Sequence, residues 1–520
     1  MLSLHYSRNF VSVISVLTNF HAMQMESRFI TMKIIYISVF SLLFSVALHA
    51  QDTAQDTNLA INRVPVDTNS KKILVKDTGA KVENMYQRLL NDDPVYTKKT
   101  PWYVPAARVL LNNAGLLAID RFIFNYDFSR IGFNSWARNI KEGWEWDDDR
   151  FGTNFFLHPY TGGNYVIAAR SNGYTFWESF PYALEGSLLW EYFGETTRPS
   201  YNDVVNTTIN GMFGGEVIYR LGSNILDDRT TGTERFFREF AAGILSPTRL
   251  LSRIIQGKTS NVTDHEVYQK EPLDIVLSAG VHKVNGDGGF GTGPMFLLLN
   301  ADFDYGEPFE KRDRKPFDYF QLRTNLTIGG GRKIVDNIVG YGLLTGNNSK
   351  MGDVELLTGI FQHFDYWDNS NFELGTMAFG GGVISKMTVM KNTNLYTNIN
   401  LGIIPLAGNS TEFGPDTVQT RDYNFGSGAE GKIDLTLNFK GIASVTLLGY
   451  YYWIHTLVGR LGDNFIGILK PRIEFHIFKD IGIGFEHLIY LEDRYPKNSP
   501  FIHTTKTEQK IFIALYLADF

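Results

Sequence analysis

The side chains with chemistry to offer lie between His158 and Glu216. Glu191 and Glu195 stand four residues apart, which on a helix places both carboxylates on one face. Asp203, Asn206 and Asn210 follow at spacings of three and four and share a second helical face. With the His158 imidazole, these groups could converge to hold a divalent cation or to move a proton. A cation needs at least three of them within bonding distance, which spacing does not supply. The other reading is structural: a polar cluster of Arg170, Glu185, Asn206, Asn210 and Glu216 that ties packed helices together and satisfies buried backbone. No His-Glu-x-x-His or Gly-x-Ser-x-Gly motif is present, and Ser187, in Glu-Gly-Ser-Leu, is no nucleophile elbow. Asp147, Asp148 and Asp149 lack the spacing of a calcium loop and read as an acidic turn. The catalytic candidates are therefore His158, Glu191, Glu195 and Asp203, and neither a metal nor another cofactor is expected.

Residues 100–262 must position these groups, and they read as a helical module. Residues 104–124 are apolar and helical in pattern, yet interrupted by Arg108, Asp120 and Arg121, too polar for a lipid-exposed span. Residues 174–194 form a second helix, bent at Pro181. Pro199 stops the chain, and Ser200 restarts it as an N-cap with Asp203 three residues on. The helix 201–221 carries Gly211 and Gly215 four apart, a spacing that lets another backbone approach closely. A hairpin of 234–245 and 247–256 ends in Arg249, Arg253 and Lys258, where cations suit the helix dipole.

From Leu273 the period becomes two. Phe320, Leu322, Leu326 and Ile328 alternate with Gln321, Arg323, Asn325 and Thr327. Ile433, Leu435 and Leu437 alternate with Lys432, Asp434 and Thr436; Leu469, Ile473 and Phe475 fall on the parity opposite to Lys470, Arg472, Glu474 and His476. Roughly ten residues per strand is long for a globular sheet and right for a tilted membrane strand. Charge confined to one parity suits a barrel, because Arg or Lys facing lipid at mid-membrane costs about 2–4 kcal/mol. The fold expected is mainly β with an α-helical N-terminal module: a transmembrane antiparallel β-barrel of about 12 strands over 270–520. Its lumen would hold Arg323, Lys432, Asp434, Lys470, Arg472, Glu474, His476 and Glu486. Tyr366, Trp367, Tyr450–453 and Tyr490 would form interfacial girdles. The run 304–316 is long where a short turn belongs, so either a hairpin is missed or that segment docks on the helices. The final strand, with Phe512, Ala514, Tyr516 and Ala518 on the face of the terminal Phe520, has the form of a closing-strand signal for barrel-assembly machinery.

Composition agrees. Lysine and arginine total 49 against 55 acids, so a nucleic-acid partner is not expected. The absence of cysteine excludes disulfides, thiol catalysis, Cys-ligated metals and a lipidated N-terminal cysteine.

A denser pattern runs through the helical module: His158-Pro-Tyr-x-Gly-Gly163, Ala169-Arg170-x-x-Gly173, Glu185-Gly-Ser187, Trp190-Glu191-x-x-x-Glu195 and Pro199-Ser200-x-x-Asp203, leading to Gly214-Gly-Glu216. Over about 150–260 this order resembles a bacterial envelope family known as domain of unknown function 3943. The resemblance implies a helical module followed by an outer-membrane barrel; the family brings no activity with it.

Met32-Lys33, an uncharged run from 34 to 48 and small residues to Ala50 read as a signal peptide over 32–50. Residues 1–31 then read as an upstream extension, and 51–99 as a polar tether. The expectation is a cell-outer-membrane protein in contact with outer-membrane lipid, its helices on the periplasmic side or in the lumen as a plug. It would serve transport, as a channel, or envelope organisation. The alternative is a membrane-embedded hydrolase of envelope lipid that uses His158, Glu191, Glu195 and Asp203.

Overall fold

The computed structural model describes residues 99–285, 290–329, 333–369, 372–410 and 423–517. The expected extension, signal peptide and nearly all of the tether lie outside the described residues, as does Phe520.

The helical module opens with α1 (Tyr103–Ala118), continued by a π turn (Ile119–Phe124), and α2 (Phe133–Glu142). A π turn (Thr153–Leu157) leads into α3 (His158–Arg170). Then comes α4 (Phe176–Leu189), which continues into a third π turn (Trp190–Gly194). Next, α5 (Tyr201–Val205) passes through a π turn (Asn206–Asn210) into α6 (Gly211–Ile225) as one continuous helix. A hairpin of α7 (Gly232–Leu245) and α8 (Pro247–Ile255) completes the module. Pro181 sits inside α4 without ending it. Ser200 is the N-cap residue of α5, but its side chain makes no capping bond.

Twelve strands follow and close into an antiparallel barrel in which neighbours in sequence pair and β1 pairs with β12. They are β1 (Leu273–Asn285), β2 (Met295–Tyr305), β3 (Phe320–Ile328), β4 (Val335–Met351), β5 (Val354–Asp368) and β6 (Glu373–Met390). The second half comprises β7 (Thr393–Ser410), β8 (Tyr423–Phe439), β9 (Ala443–Val458), β10 (Gly462–Phe478), β11 (Ile481–Pro496) and β12 (Ile502–Leu517). The long connection after β2 is not a missed hairpin. It docks on the helices: Arg220 Nη2 donates to the Pro316 carbonyl at 2.7 Å, and the Phe317 ring lies 5.3 Å from Phe176 and 5.5 Å from Phe213.

Parity identifies the two faces of the wall. Arg323 on β3 reaches Asp434 on β8 at 2.8 Å, and Arg472 on β10 reaches Asp302 on β2 at 3.2 Å. Such distant strands meet only across the lumen, so this parity points inward. The opposite parity forms a register row of Ile275, Phe303, Leu322, Gly340, Phe364, Met377 and Leu406. The six side chains of that row pack with Phe155, Phe213 and Leu221 of the module in one apolar cluster. The helices thus lie against the outer wall. This corrects the expected plug: among the described residues the pairs across the lumen are made by strand side chains, and the helices pack on the opposite face. Burying the apolar outer row against helices leaves the inner charges to pair with each other.

The expected girdles are also corrected, because the two-residue period sends alternate aromatics to opposite faces. Tyr450, Tyr452, Trp367 and Tyr490 are buried inside, and Tyr366 lies under Phe151 and Phe156 of the module. Only Tyr451 and Trp453 of that group are exposed outward. In β12, Phe512 and Ala514 face the interior, while Ile511 and Ile513 are exposed.

Candidate functional site

The site is built on a glycine seam. α3 and the α5–α6 helix run side by side in the same direction, and Gly162 and Gly163 meet Gly211 and Gly215. A Cβ on Gly215 would lie 2.8 Å from the Gly163 carbonyl oxygen, so no larger residue fits at this crossing. The spacing of Gly211 and Gly215 signals this approach in the sequence; the glycine pair after His158-Pro-Tyr is its other half. Where the backbones touch, side chains flanking the seam must meet.

At one end they are His158, Thr207 and Asp203. His158 Nδ1 lies 3.0 Å from Thr207 Oγ1, and Nε2 lies 3.4 Å from Asp203 Oδ1. Asn202 Nδ2 donates to Asp147 Oδ1 at 2.8 Å, to Asp203 Oδ1 at 2.8 Å and to Asn154 Oδ1 at 3.1 Å. Asn206 donates to the Asn154 carbonyl at 3.0 Å, and Asn210 donates to Asn206 Oδ1 at 3.0 Å. Asn154 also donates to the Tyr423 hydroxyl of β8, which donates to the Asp149 carbonyl at 2.9 Å. The cluster is thereby bolted to the barrel wall. Three of its segments are π turns, which shift side chains off the ordinary helical repeat.

That shift takes Glu195 off the helix that carries Glu191. Glu191 ends up buried in its π turn and accepts the Ser200 amide at 2.8 Å, while Glu195 lies beyond the turn in extended backbone. The two do not share a helical face. Asp203, Asn206 and Asn210 do stay connected, and Asp203 joins His158. Among the described residues no group of three His, Asp or Glu side chains could hold a metal ion.

Burial controls the electrostatics. It raises the Asp203 carboxyl well above its ordinary range, and the nearby carboxylates of Asp147 and Glu191 add to the effect. Burial also raises Glu191, with Glu195 adding to it, and lifts Glu195 to about 8. The same cause lowers His158 below the usual imidazole value. The arrangement sets an imidazole 3.4 Å from a carboxyl, with the charged form of each disfavoured by burial. With side-chain exposures of 14% and 4%, His158 and Asp203 are closed to a bulky substrate in this state.

The other end of the seam is ionic. Arg170 Nε and Arg220 Nε each lie 2.9 Å from Glu216, and Arg170 Nη1 caps the Tyr174 carbonyl at 2.8 Å. Glu185 is half-buried on α4, outside this network. A further network went unread in the sequence: Arg253 meets Asp228 at 2.8 Å and Glu239 at 2.6 Å, and Arg235 meets Glu239 at 2.8 Å. Its signal was there, since Arg235 and Glu239 stand four apart on the face opposite Phe236 and Phe240. Arg249 does not cap its own helix either; it donates to Ser223 Oγ at 2.8 Å and lies over the Tyr219 ring.

In the lumen, Lys432 meets Asp365 at 2.6 Å and Glu430 at 3.1 Å, and Lys470 and Lys510 each lie 3.5 Å from Glu486. Glu474 pairs with Arg472 and accepts the Tyr516 hydroxyl at 2.9 Å, while His476 stacks on Tyr516 at 4.6 Å. Asp302, Asp365, Glu430 and Lys510 complete these pairs and were missed; all follow the same inward parity. A lumen cavity lined by Arg323, Tyr341, His363, Lys432 and Asp434 measures about 30 Å³, more than the ~10–15 Å³ that one water needs.

Residues 143–248 match the model of a family described as a domain of unknown function (DUF3943). The DUF3943 segment contains the whole glycine seam and both ends of it. No curated protein matches the chain. Among solved structures, the barrel half is similar to the NanC porin, at 12% identity over 47% of this chain and 100% of that one, with a TM-score of 0.24. It is also similar to the outer-membrane channel DcaP of Acinetobacter baumannii, at 7% identity over 47% and 96%, TM-score 0.22. The toluene transporter TodX of Pseudomonas putida is similar at 8% over 47% and 89%, TM-score 0.21. These neighbours are outer-membrane barrels; scores this low add nothing to the closed twelve-strand topology of the DUF3943-linked barrel.

Proposed function

We propose that the protein is an outer-membrane anchor, a barrel with a closed lumen that organises the envelope by holding the DUF3943 segment against its wall. The observation that carries this reading is the pairing of Arg323 with Asp434 and Arg472 with Asp302 across the lumen. A porin keeps its inner charges hydrated around a water column; here they neutralise one another. The reading includes export through the signal peptide over 32–50, contact with outer-membrane lipid and insertion by barrel-assembly machinery acting on the last strand. Planar-bilayer recording of the full-length protein tests it. A silent bilayer is expected, and regular conductance steps would return the protein to the channels.

A hydrolase of envelope lipid is the second reading, favoured by one observation: His158 and Asp203 meet, each biased to its neutral form by burial. Release of fatty acid or headgroup from phospholipid vesicles by the full-length protein, abolished in His158→Gln, would establish it. No release from either protein would remove it.

A further inference from the structure

The α7–α8 hairpin of the helical module is built inside out relative to a water-soluble one. On α8 the inward residues are Arg249, Ser252 and Arg253, and the exposed ones are Leu251, Ile254 and Ile255. On α7, Arg235 and Glu239 are buried while Phe236, Phe237 and Phe240 are exposed. Along α1 the exposed stripe is Tyr103, Ala107, Leu110, Leu111, Ala114 and Ala118, at helical spacing and without a charge. It runs on to Phe122, 82% exposed. In water this inversion is unfavourable twice over. Apolar surface stays hydrated, and charges are stripped of water without a net gain. Against hydrocarbon both signs reverse, because ionised side chains there must turn inward and pair.

The position of the module supplies the second observation. Its helices cover the Phe364, Met377 and Leu406 row of the outer wall. The same outward parity on β7 and β12 leaves Leu401, Ile403, Ile511 and Ile513 exposed. Exposed apolar side chains thus stand both on the helices and on the wall they leave uncovered. We infer that the module is embedded in the membrane beside the barrel, its exposed apolar face covered by lipid acyl chains. No helix among the described residues is long and apolar enough to cross a membrane alone. α1 meets lipid on one side and protein on the other, so Asn112 and Asn113 bond inward, to Asn164 and Gly186 carbonyls. The exposed polar loops at Asp127, Arg130 and Asp264 mark where the module leaves the hydrocarbon. This inference rests on the outer-membrane reading of the barrel and replaces the periplasmic or luminal placement expected from sequence.

The chain has no cysteine, so single introduced thiols report without background. Spin labels on Leu111→Cys, Phe122→Cys and Ile254→Cys are compared with Leu401→Cys and Ile513→Cys on the barrel wall and Asp264→Cys in a loop. The full chain is reconstituted in phosphatidylethanolamine–phosphatidylglycerol vesicles, and collision with oxygen is measured against collision with a water-soluble nickel chelate. The three helix sites should match the two wall sites, with oxygen favoured at least several-fold over the Asp264→Cys ratio. Helix sites that read water while the wall sites read lipid would overturn the inference and leave the barrel reading standing. Water at the wall sites as well would overturn both. Each introduced thiol replaces an exposed side chain, and cooperative heat unfolding of each variant checks that the fold is kept.

Discussion

Gly162 and Gly211 face each other across the α3–α6 seam so closely that a Cβ on Gly211 would stand 2.6 Å from the Gly162 carbonyl carbon. A Cβ on Gly162 would meet the Thr207 carbonyl oxygen at 1.7 Å. Backbone cannot yield as a flexible side chain can. Gly162→Ala should therefore cost at least about 1–3 kcal/mol as overpacking, and separate His158 from Thr207. Gly214, with nothing within 4 Å of its Cβ position, is the control: Gly214→Ala should gain up to about 1 kcal/mol of helix propensity. Denaturant unfolding of the reconstituted protein measures both.

Glu195 links stability to pH. Its folded value, about 8, stands above its ordinary 4.5 because burial disfavours the charge. A raised carboxyl contributes stability that is fully present below about pH 4.5 and is lost as pH rises through about 8. Asp203 and Glu191 are shifted in the same direction. His158, lowered, works the other way: its contribution is present above its ordinary 6.5 and is lost as pH falls through its folded value. The melting temperature should fall between pH 5 and 8.5, and Glu195→Gln should flatten that slope. An unchanged slope in the variant would contradict the assignment.

The lumen pair Lys432–Asp365 should behave as a buried ion pair. Asp365 also accepts the hydroxyls of Tyr452 at 2.9 Å and Thr376 at 3.2 Å. Removing only the cation, in Lys432→Met, strands the carboxylates of Asp365 and Glu430 and should cost about 3–5 kcal/mol. Adding Asp365→Leu should recover part of that loss, Glu430 remaining unpaired from Lys432, so a double-mutant cycle would show coupling. Additive losses would mean the two do not act as a pair.

Phe155 is the wedge that fixes the module to the wall. Its ring occupies the space that a side chain at Gly375 or Gly408 would fill, with would-be Cβ distances of 2.4 and 2.3 Å. Phe155→Ala should cost about 3–5 kcal/mol, and Gly375→Val should evict the ring. Both should expose residues 143–248 to protease while the barrel keeps its heat-modifiable mobility on gels. Equal protease resistance in both variants would show that docking depends on other contacts.

The barrel was legible because its signal is local. Lys432 and Asp434, or Arg472 and Glu474, reveal their face through neighbours two residues away. The Gly211 and Gly215 spacing announced a helix crossing for the same reason. Glu191 and Glu195 misled because a π turn intervenes, and no rule of spacing marks where a helix takes an extra residue per turn. Trp367 and Tyr490 misled because an aromatic near a strand end is compatible with either face until parity is known.

The amino-acid order alone determined the alternation and the helical character of 100–262, since backbone geometry over a few residues sets each of these. The count of twelve strands was settled only by the docking of the segment after β2 on the helices. Only the closed structure decided that Arg323 finds Asp434 and that Phe155 lies between Gly375 and Gly408. It also decided that the helices press on the outside of the wall. Those contacts join residues more than a hundred positions apart, and their register is settled by ring closure and side-chain packing together, which no local period encodes.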